Sequence, residues 1–406
     1  MAKPRTTVDD LRGATRLAVE ATRGITELVE AMHRTILGGP EVLGRPLEGP
    51  ARMALGPIYG GIRAVTKLVG DGIDGALAQL APLLSPSAPA EQFGAARAVL
   101  CGVLGDYLCA TGNPLAITMA LRHAGTPLVL EREAVTAGLG QPSGKIVVLV
   151  HGSCVDDLRW HRDGHDHGAA LAETLGCTSI YLHYNSGLHI SSNGHGFALL
   201  LEQLTAAWPV PIDSIVVVGH SMGGLVARSA CEVGETEGHT WRRHLTKLVC
   251  LGSPHHGAPL ERGGNWIDFA LGISRYSAPL ARLGKIRSAG VTDLRFGIVR
   301  AADWADRDRF ERGADPRTPL PLPAGVACYA VAGTLTKQLS ARLQGDGLVP
   351  VDSALGRGAS PALDLGFPED RRWIAVGTSH IDLLSSADVY AKLLSWVGED
   401  ETVASA

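Results

Sequence analysis

One pentapeptide of this chain has the residue types and spacing of a catalytic nucleophile: Gly219-His220-Ser221-Met222-Gly223. It joins the apolar run Ser214-Ile215-Val216-Val217-Val218 to the helix-like stretch Gly224-Leu225-Val226-Ala227-Arg228. A serine on a sharp strand-to-helix turn needs strained backbone angles and small neighbours, and glycines on both sides provide for them. We therefore predict that Ser221 is the nucleophile of a serine hydrolase, in preference to a serine of an ordinary turn.

Acyl transfer through a serine also requires hydrogen-bond donors for the oxyanion. The buried-strand pattern from Lys145 to Val150 lies upstream of the serine and ends in His151-Gly152-Ser153-Cys154. In an α/β hydrolase the loop after this strand supplies one backbone N–H, and the residue after the nucleophile supplies the other. We predict that the main-chain amides of Ser153 and Met222 are these donors. The alternative for the loop is an ordinary strand-ending turn.

The acid and the base should follow the serine in that order along the chain. A strand-like run at 326–331 leads to the glycine-flanked Asp346, and a last apolar run leads to His380. Their order and their positions after strands predict that His380 is the general base and Asp346 its orienting carboxylate. Asp352 and Asp382 are the rival acids.

Four sequence blocks resemble those of the α/β-hydrolase lipase and esterase superfamily. They are Gly-His-Ser-Met-Gly-Gly at 219–224, Leu-Gly-Ser-Pro-His-His-Gly at 251–257, Gly-Asp-Gly-Leu-Val-Pro at 345–350 and Ser-His-Ile-Asp at 379–382. Similar blocks occur in bacterial lipases and in the hydrolases related to glycosylphosphatidylinositol inositol-deacylase. The resemblance covers about residues 128 to 397. It implies ester hydrolysis through an acyl-enzyme, with Ser221, Asp346 and His380 in the triad positions.

The elements that must position these residues alternate along the chain. Further strand-like runs occur at 128–130, 178–182 and 247–251, and helical stretches occur near 168–173, 197–202 and 389–396. This alternation predicts an α/β fold of the α/β-hydrolase type, with a mostly parallel central sheet and helices on both faces. The serine, acid and base loops all leave carboxyl ends of strands, where such sheets build their sites.

The chain is long enough for more than a hydrolase core. We predict an N-terminal helical region at 1–113 and a hydrolase domain at 114–406, with a helical cap or lid insertion at about 259–323. No strand-like run occurs in that insertion. It would either cover the substrate pocket as a lid or form helices that pack rigidly on the core. The N-terminal region would dock on the core or on a second subunit, or contact lipid or another apolar surface.

Composition and charge narrow the classes of function. The formal net charge is −4 and charges of both signs are mixed, which is not the electrostatic pattern of a nucleic-acid-binding protein. There is neither a glycine-rich phosphate loop nor a dinucleotide fingerprint, so we predict no cofactor. The N-terminal sequence leads into charged residues instead of an apolar segment, and this predicts a cytoplasmic protein.

Cysteine and histidine patterns add two interpretations. Seven cysteines without paired spacing indicate reduced core residues, and only Cys154 borders the predicted oxyanion loop. The stretch from His161 to His167 contains several metal-ligand types in a short polar loop. We interpret it as a solvated loop that caps a helix, and we predict no metal site.

The function predicted from the sequence is carboxylic ester hydrolysis on a small-molecule or lipid acyl ester. A thioesterase, an amidase or an acyltransferase would use the same triad and stays open as an alternative. An interaction or lipid-docking protein that has lost its activity is a second alternative function. The oligomeric state is a separate question, and the sequence leaves a homo-oligomer open.

Overall fold

A computed structural model describes residues 90–258, 288–307, 314–338 and 345–399 of the 406-residue chain. The helices predicted for residues 1–89 lie outside the described residues. So does a large part of the predicted cap, of which the described stretches are those at 288–307 and 314–323.

Within the described residues, eight strands form one sheet with the order β2-β1-β4-β3-β5-β6-β7-β8. They are β1 (Ala120–His123), β2 (Thr126–Pro127), β3 (Lys145–Val150), β4 (Thr178–His183), β5 (Ser214–His220), β6 (Leu245–Leu251), β7 (Ala327–Thr334) and β8 (Arg372–Val376). Strand β1 pairs antiparallel with β2 and β4, whereas all the pairs from β4 to β8 are parallel.

The described α-helices are α1 (Ala90–Ala110), α2 (Arg132–Leu139), α3 (His167–Leu175), α4 (Ile190–Ala207), α5 (Met222–Thr236), α6 (Ala289–Asp293), α7 (Val351–Ala354) and α8 (Ala387–Gly398). Short 3₁₀ turns occur at Asp157–Trp160, Thr240–His244, Ala301–Asp303, Glu369–Arg371 and Asp382–Leu384. The helices predicted after β4, β5 and β8 are all present.

Apolar side chains cover both faces of the sheet. In β3, Ile146, Val148 and Val150 point into a cluster that also contains buried residues of α1, α4 and α5. Val147 and Leu149 point the other way, into a cluster with buried residues of α3 and α8. Strands buried on both faces read as continuous apolar runs, which is the pattern that predicted them. The predicted mostly parallel sheet with helices on both faces is confirmed.

The strand predicted at 128–130 is wrong. The chain instead forms a hairpin of β1 and β2, whose two-residue turn has positive φ at Ala124 (46°) and Gly125 (75°). Two positive φ angles match the twist of a tight hairpin, and this local geometry ends the pairing early. The amide of Leu128 still donates to Leu121 O at 2.8 Å, but Val129 is 58% exposed.

Helix α1 contains one stretch, Phe93–Ala110, that is long and apolar enough to cross a membrane by length and composition. Half of this stretch is buried inside the fold, where Leu100 and its neighbours join the cluster under the sheet. Both of its charged residues are bonded within the fold: Arg97 donates to Leu115 O at 2.9 Å, and Asp106 accepts from the Ala289 amide at 3.0 Å. This helix therefore packs on the hydrolase sheet, although it precedes the domain boundary predicted at 113/114.

Candidate active site

Ser221 lies on the turn between β5 and α5. Its φ of 55° and ψ of −124° are angles that non-glycine residues rarely adopt. The strain is held by the surroundings, because the Ser221 amide donates to Leu251 O of the neighbouring strand at 2.8 Å and the residue is 6% exposed. The turn thus has the geometry that the glycine-flanked serine motif predicts.

The glycines of the motif allow the strand and the helix to approach each other closely. A Cβ on Gly219 would lie 2.5 Å from the Gly224 amide nitrogen, and a Cβ on Gly223 would lie 2.2 Å from Val150 O. Both contacts are with main-chain atoms, which cannot move aside as a flexible side chain can. Any larger residue at these positions must therefore displace α5 from the sheet.

We expect Gly223→Ala to lower the free energy of unfolding by about 1–3 kcal/mol, since an added methyl group must push the helix off β3. Turnover should fall with it, because the same helix begins at the nucleophile. Urea denaturation of this variant should be compared with that of Gly138→Ala. A Cβ on Gly138, within α2, would meet only Leu128 Cδ2 at 3.4 Å, so that control should be neutral or stabilised by up to about 1 kcal/mol. Equal stability and activity in both variants would contradict a close contact between α5 and β3.

The loops after β7 and β8 bring Asp346 and His380 together. His380 Nδ1 donates to Asp346 Oδ2 at 2.7 Å, and each residue is 2% exposed. The main chains also meet, because the His380 amide donates to Asp346 O at 2.9 Å. Asp346 Oδ1 accepts from the amides of Leu348 (3.0 Å) and Val349 (2.8 Å). With Nδ1 as the donor, Nε2 carries the lone pair that a general base needs.

Neither rival acid approaches His380 in this way. The Asp352 side chain is 73% exposed and lies 3.2 Å from Arg357 Nη1. Asp382 Oδ2 accepts from Ser379 Oγ at 2.5 Å, and its Oδ1 lies 3.5 Å from Arg162 Nη2. Of the three aspartates, Asp346 is the one that accepts a hydrogen bond from the imidazole of His380.

His220 connects the nucleophile turn to the loop of His380. Its Nε2 donates to the main-chain oxygen of His380 at 2.9 Å, and the two rings lie 4.7 Å apart. A Cβ on Gly252, in the loop after β6, would lie 3.2 Å from both Asp346 Oδ2 and His380 Nδ1. The sequence identified His220 only as the variable residue of the motif. No pattern in the sequence signals a contact that spans 160 positions.

The predicted oxyanion loop passes close to Ser221. A Cβ on Gly152 would lie 3.1 Å from Ser221 Cβ, so a larger residue at this position would have to push its neighbour aside by a few tenths of an ångström. The next amide along the loop is that of Ser153. Met222 is the first residue of α5, and its amide is one of those that a helix leaves without an internal partner. The partial positive charge of a helix N-terminus also favours an anion there.

His151 and Tyr184 hold the main chain of this loop. His151 Nδ1 donates to Gly152 O at 2.8 Å, and the Tyr184 hydroxyl donates to His151 O at 2.8 Å. Gly152 O and the Ser153 N–H belong to one peptide plane, so fixing the carbonyl also fixes the direction of the amide. Burial lowers the pKa of His151 to about 3, so its ring is neutral at pH 7. No pattern in the sequence signals this supporting role of either residue.

Cys154, next to the loop, is not a competing nucleophile. It is 1% exposed, and burial raises its pKa to about 12, so the thiol is protonated at neutral pH. All seven cysteines lie in the described residues as free thiols, and Cys109 is the exposed one among them.

The stretch from His161 to His167 supports a helix. Asp166 caps α3 by accepting from the Ala169 amide at 2.9 Å, as the sequence indicates. His167 is buried, and its Nε2 donates to Leu383 O at 3.0 Å. Burial lowers its pKa to about 4. Among the described residues, no group of three or more histidine, cysteine, aspartate or glutamate side chains could hold a metal ion.

The amino-acid sequence of residues 200–315 matches the family described as "PGAP1-like alpha/beta domain". No curated protein matches the sequence. Solved structures with a similar fold include the mature lipase BlEst2 of Bacillus licheniformis, with 16% identity and a TM-score of 0.40 over 63% of this chain and 95% of that chain. Lipase 1 of Pelosinus fermentans has 13% identity and a TM-score of 0.36, over 63% and 99% of the two chains. An esterase of Pyrococcus furiosus has 14% identity and a TM-score of 0.35, over 63% and 80%.

The matched segment begins within α4 and contains β5, the nucleophile turn, α5 and β6. Around it, the strand order and the parallel pairs continue the sheet on both sides. The family match and the topology of the sheet agree with the resemblance carried by the four sequence blocks. The described residues therefore have an α/β-hydrolase fold, within which residues 200–315 match the PGAP1-like alpha/beta domain.

Proposed function

We propose that this protein is a carboxylic ester hydrolase that acts through Ser221, His380 and Asp346 and an acyl-enzyme intermediate. The observation that carries the proposal is the buried hydrogen bond of 2.7 Å between Asp346 and His380. His220, which precedes the strained Ser221, is hydrogen-bonded to the main-chain oxygen of His380 and so joins this pair to the serine turn. Strained backbone and buried ionisable pairs cost free energy and are concentrated at functional sites. A binding module would need neither.

The proposed reaction begins with attack of Ser221 Oγ on the ester carbonyl, while His380 Nε2 accepts the hydroxyl proton. The carboxylate of Asp346 stabilises the imidazolium that forms. The amides of Ser153 and Met222 donate to the oxyanion, and each such donor is worth about 3 kcal/mol of transition-state stabilisation. His380 then protonates the leaving alcohol, and water cleaves the acyl-enzyme by the same route.

The neighbouring imidazoles favour this proton transfer because they stay neutral. Burial lowers the pKa of His220 to well below its usual value, and the nearby His380 lowers it further. The pKa values of His151 and His167 are lowered by burial as well. The imidazolium of His380 would therefore face the Asp346 carboxylate without competing positive charge from these three rings.

The substrate class follows from the mechanism and from the lipase-like blocks, and it is a small-molecule or lipid acyl ester. A thioesterase, an amidase and an acyltransferase share the acyl-enzyme and differ in leaving group and acceptor. The cap at 259–323, the docking role of residues 1–113 and the cytoplasmic location stay predictions from the sequence.

Hydrolysis of p-nitrophenyl esters from acetyl to palmitoyl, together with labelling by a fluorophosphonate, tests the proposal. We expect turnover with an optimum in acyl length, and a single labelled peptide that contains Ser221. Competition between water and an added alcohol for the acyl group would separate a hydrolase from an acyltransferase. Absence of both turnover and label in the folded protein would contradict the proposal.

A further inference from the structure

A second site lies away from the triad, in a cavity of about 110 Å³ between α5, the loop after β6 and the described part of the predicted cap. Its polar lining residues are Arg228, His255, His256, Asp303, Arg317, Thr318 and Asp364. Asp364 is exposed to solvent, and its Oδ1 accepts from the Gly366 amide at 2.8 Å. Ser221, Asp346 and His380 do not line it. The volume has room for several water molecules or for one small ion.

Arg228 is a buried cation without a counter-charge. It is 4% exposed, its Nη2 donates to Leu320 O at 2.7 Å, and its Nη1 donates to His255 Nδ1 at 3.4 Å. Its Nε has no hydrogen-bond partner, and no carboxylate of the described chain lies within 4.0 Å of it. Arginine keeps its proton in proteins, so a positive charge is buried here uncompensated.

The groups around Arg228 do not provide the missing negative charge. Burial raises the pKa of the nearby thiols of Cys250 and Cys328, which keeps both protonated. Burial and the charge of Arg228 hold the pKa of His255 well below its usual value. Burial and the charge of Arg317 lower that of His256. The thiols and imidazoles are therefore neutral at pH 7.

Arg317 gives the cavity a second guanidinium in a fixed position. It forms a two-pronged ion pair with Asp315, with Nη2 at 2.7 Å and Nε at 2.9 Å from the carboxylate. Its Nη1 donates to His255 O at 2.7 Å and lies 3.3 Å from His256 Nδ1. The guanidinium thus ties the loop after β6 to the segment that follows 314.

Asp303 gives the same cavity a hydrogen-bond acceptor. Its Oδ1 accepts from the amide and the hydroxyl of Thr318, both at 2.9 Å. Its Oδ2 is buried without a hydrogen-bond partner. No ion pair joins Asp303 to Arg228 or Arg317 within the part of the chain that the structure describes, so the carboxylate is not in direct contact with either guanidinium.

We propose that this cavity binds a phosphate-type oxyanion that carries a P–OH group. The phosphoryl oxygens would accept from the guanidiniums of Arg228 and Arg317, which suit oxyanion geometry. The P–OH hydrogen would be donated to Asp303. Phosphate carries at least one such hydrogen at neutral pH and sulfate carries none, so Asp303 would repel sulfate and accept phosphate. Inorganic phosphate meets this requirement at neutral pH, whereas a phosphomonoester, whose second pKa is about 6, has mostly lost its P–OH hydrogen there.

Thermal unfolding and calorimetric titration of the full chain, in a buffer free of phosphate and sulfate, test the site. We expect saturable stabilisation by inorganic phosphate and at least tenfold weaker binding of sulfate. Glycerol 3-phosphate tests the role of the P–OH hydrogen, because at pH 7 it is mostly a dianion without one and should bind at least tenfold more weakly than inorganic phosphate. Equal binding of the two compounds at pH 7 would overturn the role given to Asp303. No response of the wild type to inorganic phosphate would mean that water alone fills the cavity, and it would overturn the proposal.

Two variants and a control make the assignment specific. Arg228→Met should remain folded, because it replaces an uncompensated charge by an apolar chain of similar length, and should weaken phosphate binding at least tenfold. Asp303→Asn should bring the ratio of phosphate to sulfate affinity close to one. Arg357→Met removes an exposed arginine outside the cavity and should bind phosphate as the wild type does. An undiminished phosphate response in Arg228→Met would show an adventitious ion only.

Discussion

Replacement of Ser221 by alanine is expected to lower kcat for p-nitrophenyl ester hydrolysis by about 10⁴- to 10⁶-fold. The hydroxyl is the only group that the variant removes, and alanine can occupy the same strained turn because its neighbours hold the backbone. The Ser221 amide keeps its bond to Leu251 O, and α5 still begins at the next residue. Circular dichroism and the thermal unfolding midpoint should therefore resemble those of the wild type.

The matched control is Ser253→Ala, which removes another buried serine hydroxyl near the same helix. Ser253 Oγ would lie 2.0 Å from a Cβ on Gly224, which places it beside the start of α5. We expect this variant to keep activity within a few-fold of the wild type. The contrast between the two variants separates the loss of a nucleophile from the loss of a buried hydroxyl. Wild-type turnover in Ser221→Ala would assign the chemistry to another residue.

Acidification below pH 6.5 is expected to destabilise the protein steeply. The folded pKa values of His151 (about 3) and His167 (about 4) lie below the ordinary value of 6.5 because both rings are buried. The unfolded chain therefore binds more protons below pH 6.5. The stability is complete above that pH and is lost as the pH falls toward the folded pKa values. Each ring contributes a slope of about 1.4 kcal/mol per pH unit.

These two rings alone would remove about 5 kcal/mol between pH 6.5 and 4.5, which is comparable to the whole stability of many domains. His220 and His255, whose pKa values are also lowered by burial, steepen the loss. Urea denaturation at pH 7, 6 and 5 measures the slope. His167→Gln should reduce it by about one proton, and His161→Gln, at an exposed position, should leave it unchanged. A free energy of unfolding that is constant over this range would contradict the prediction.

Much of the sheet could be predicted because the central strands are buried on both faces. Continuous runs of β-branched residues at 145–150 and 214–218 are typical of such strands, and glycines around Ser221 fix the turn between strand and helix. The three residues at 128–130 were too short a run to separate a strand from a connecting segment. The hairpin before them depends on an Ala-Gly turn that carries little sequence signal.

The sequence also predicted the pair of Asp346 and His380, which the fold brings within 2.7 Å of each other, since chain order and position after strands are local properties. The supporting contacts could not be predicted in the same way. His220 meets the loop of His380, and Tyr184 meets His151, only because distant strands lie side by side in the sheet. The buried charge of Arg228 could not be predicted either, because the position of an arginine in a helical pattern does not indicate which groups will surround it in the fold.

The position of His380 in the chain has a consequence for biosynthesis. The ribosome completes the nucleophile turn long before it reaches β8, which lies at the edge of the sheet and pairs with β7. Under the proposed mechanism, an emerging chain would therefore hold its serine without a base and would not attack esters at that stage of its synthesis. The hydrogen bond from His220 to His380 O can form only when β8 and the loop that follows it have been added. The proposed catalytic centre would thus be assembled only after every described strand of the sheet has been synthesised.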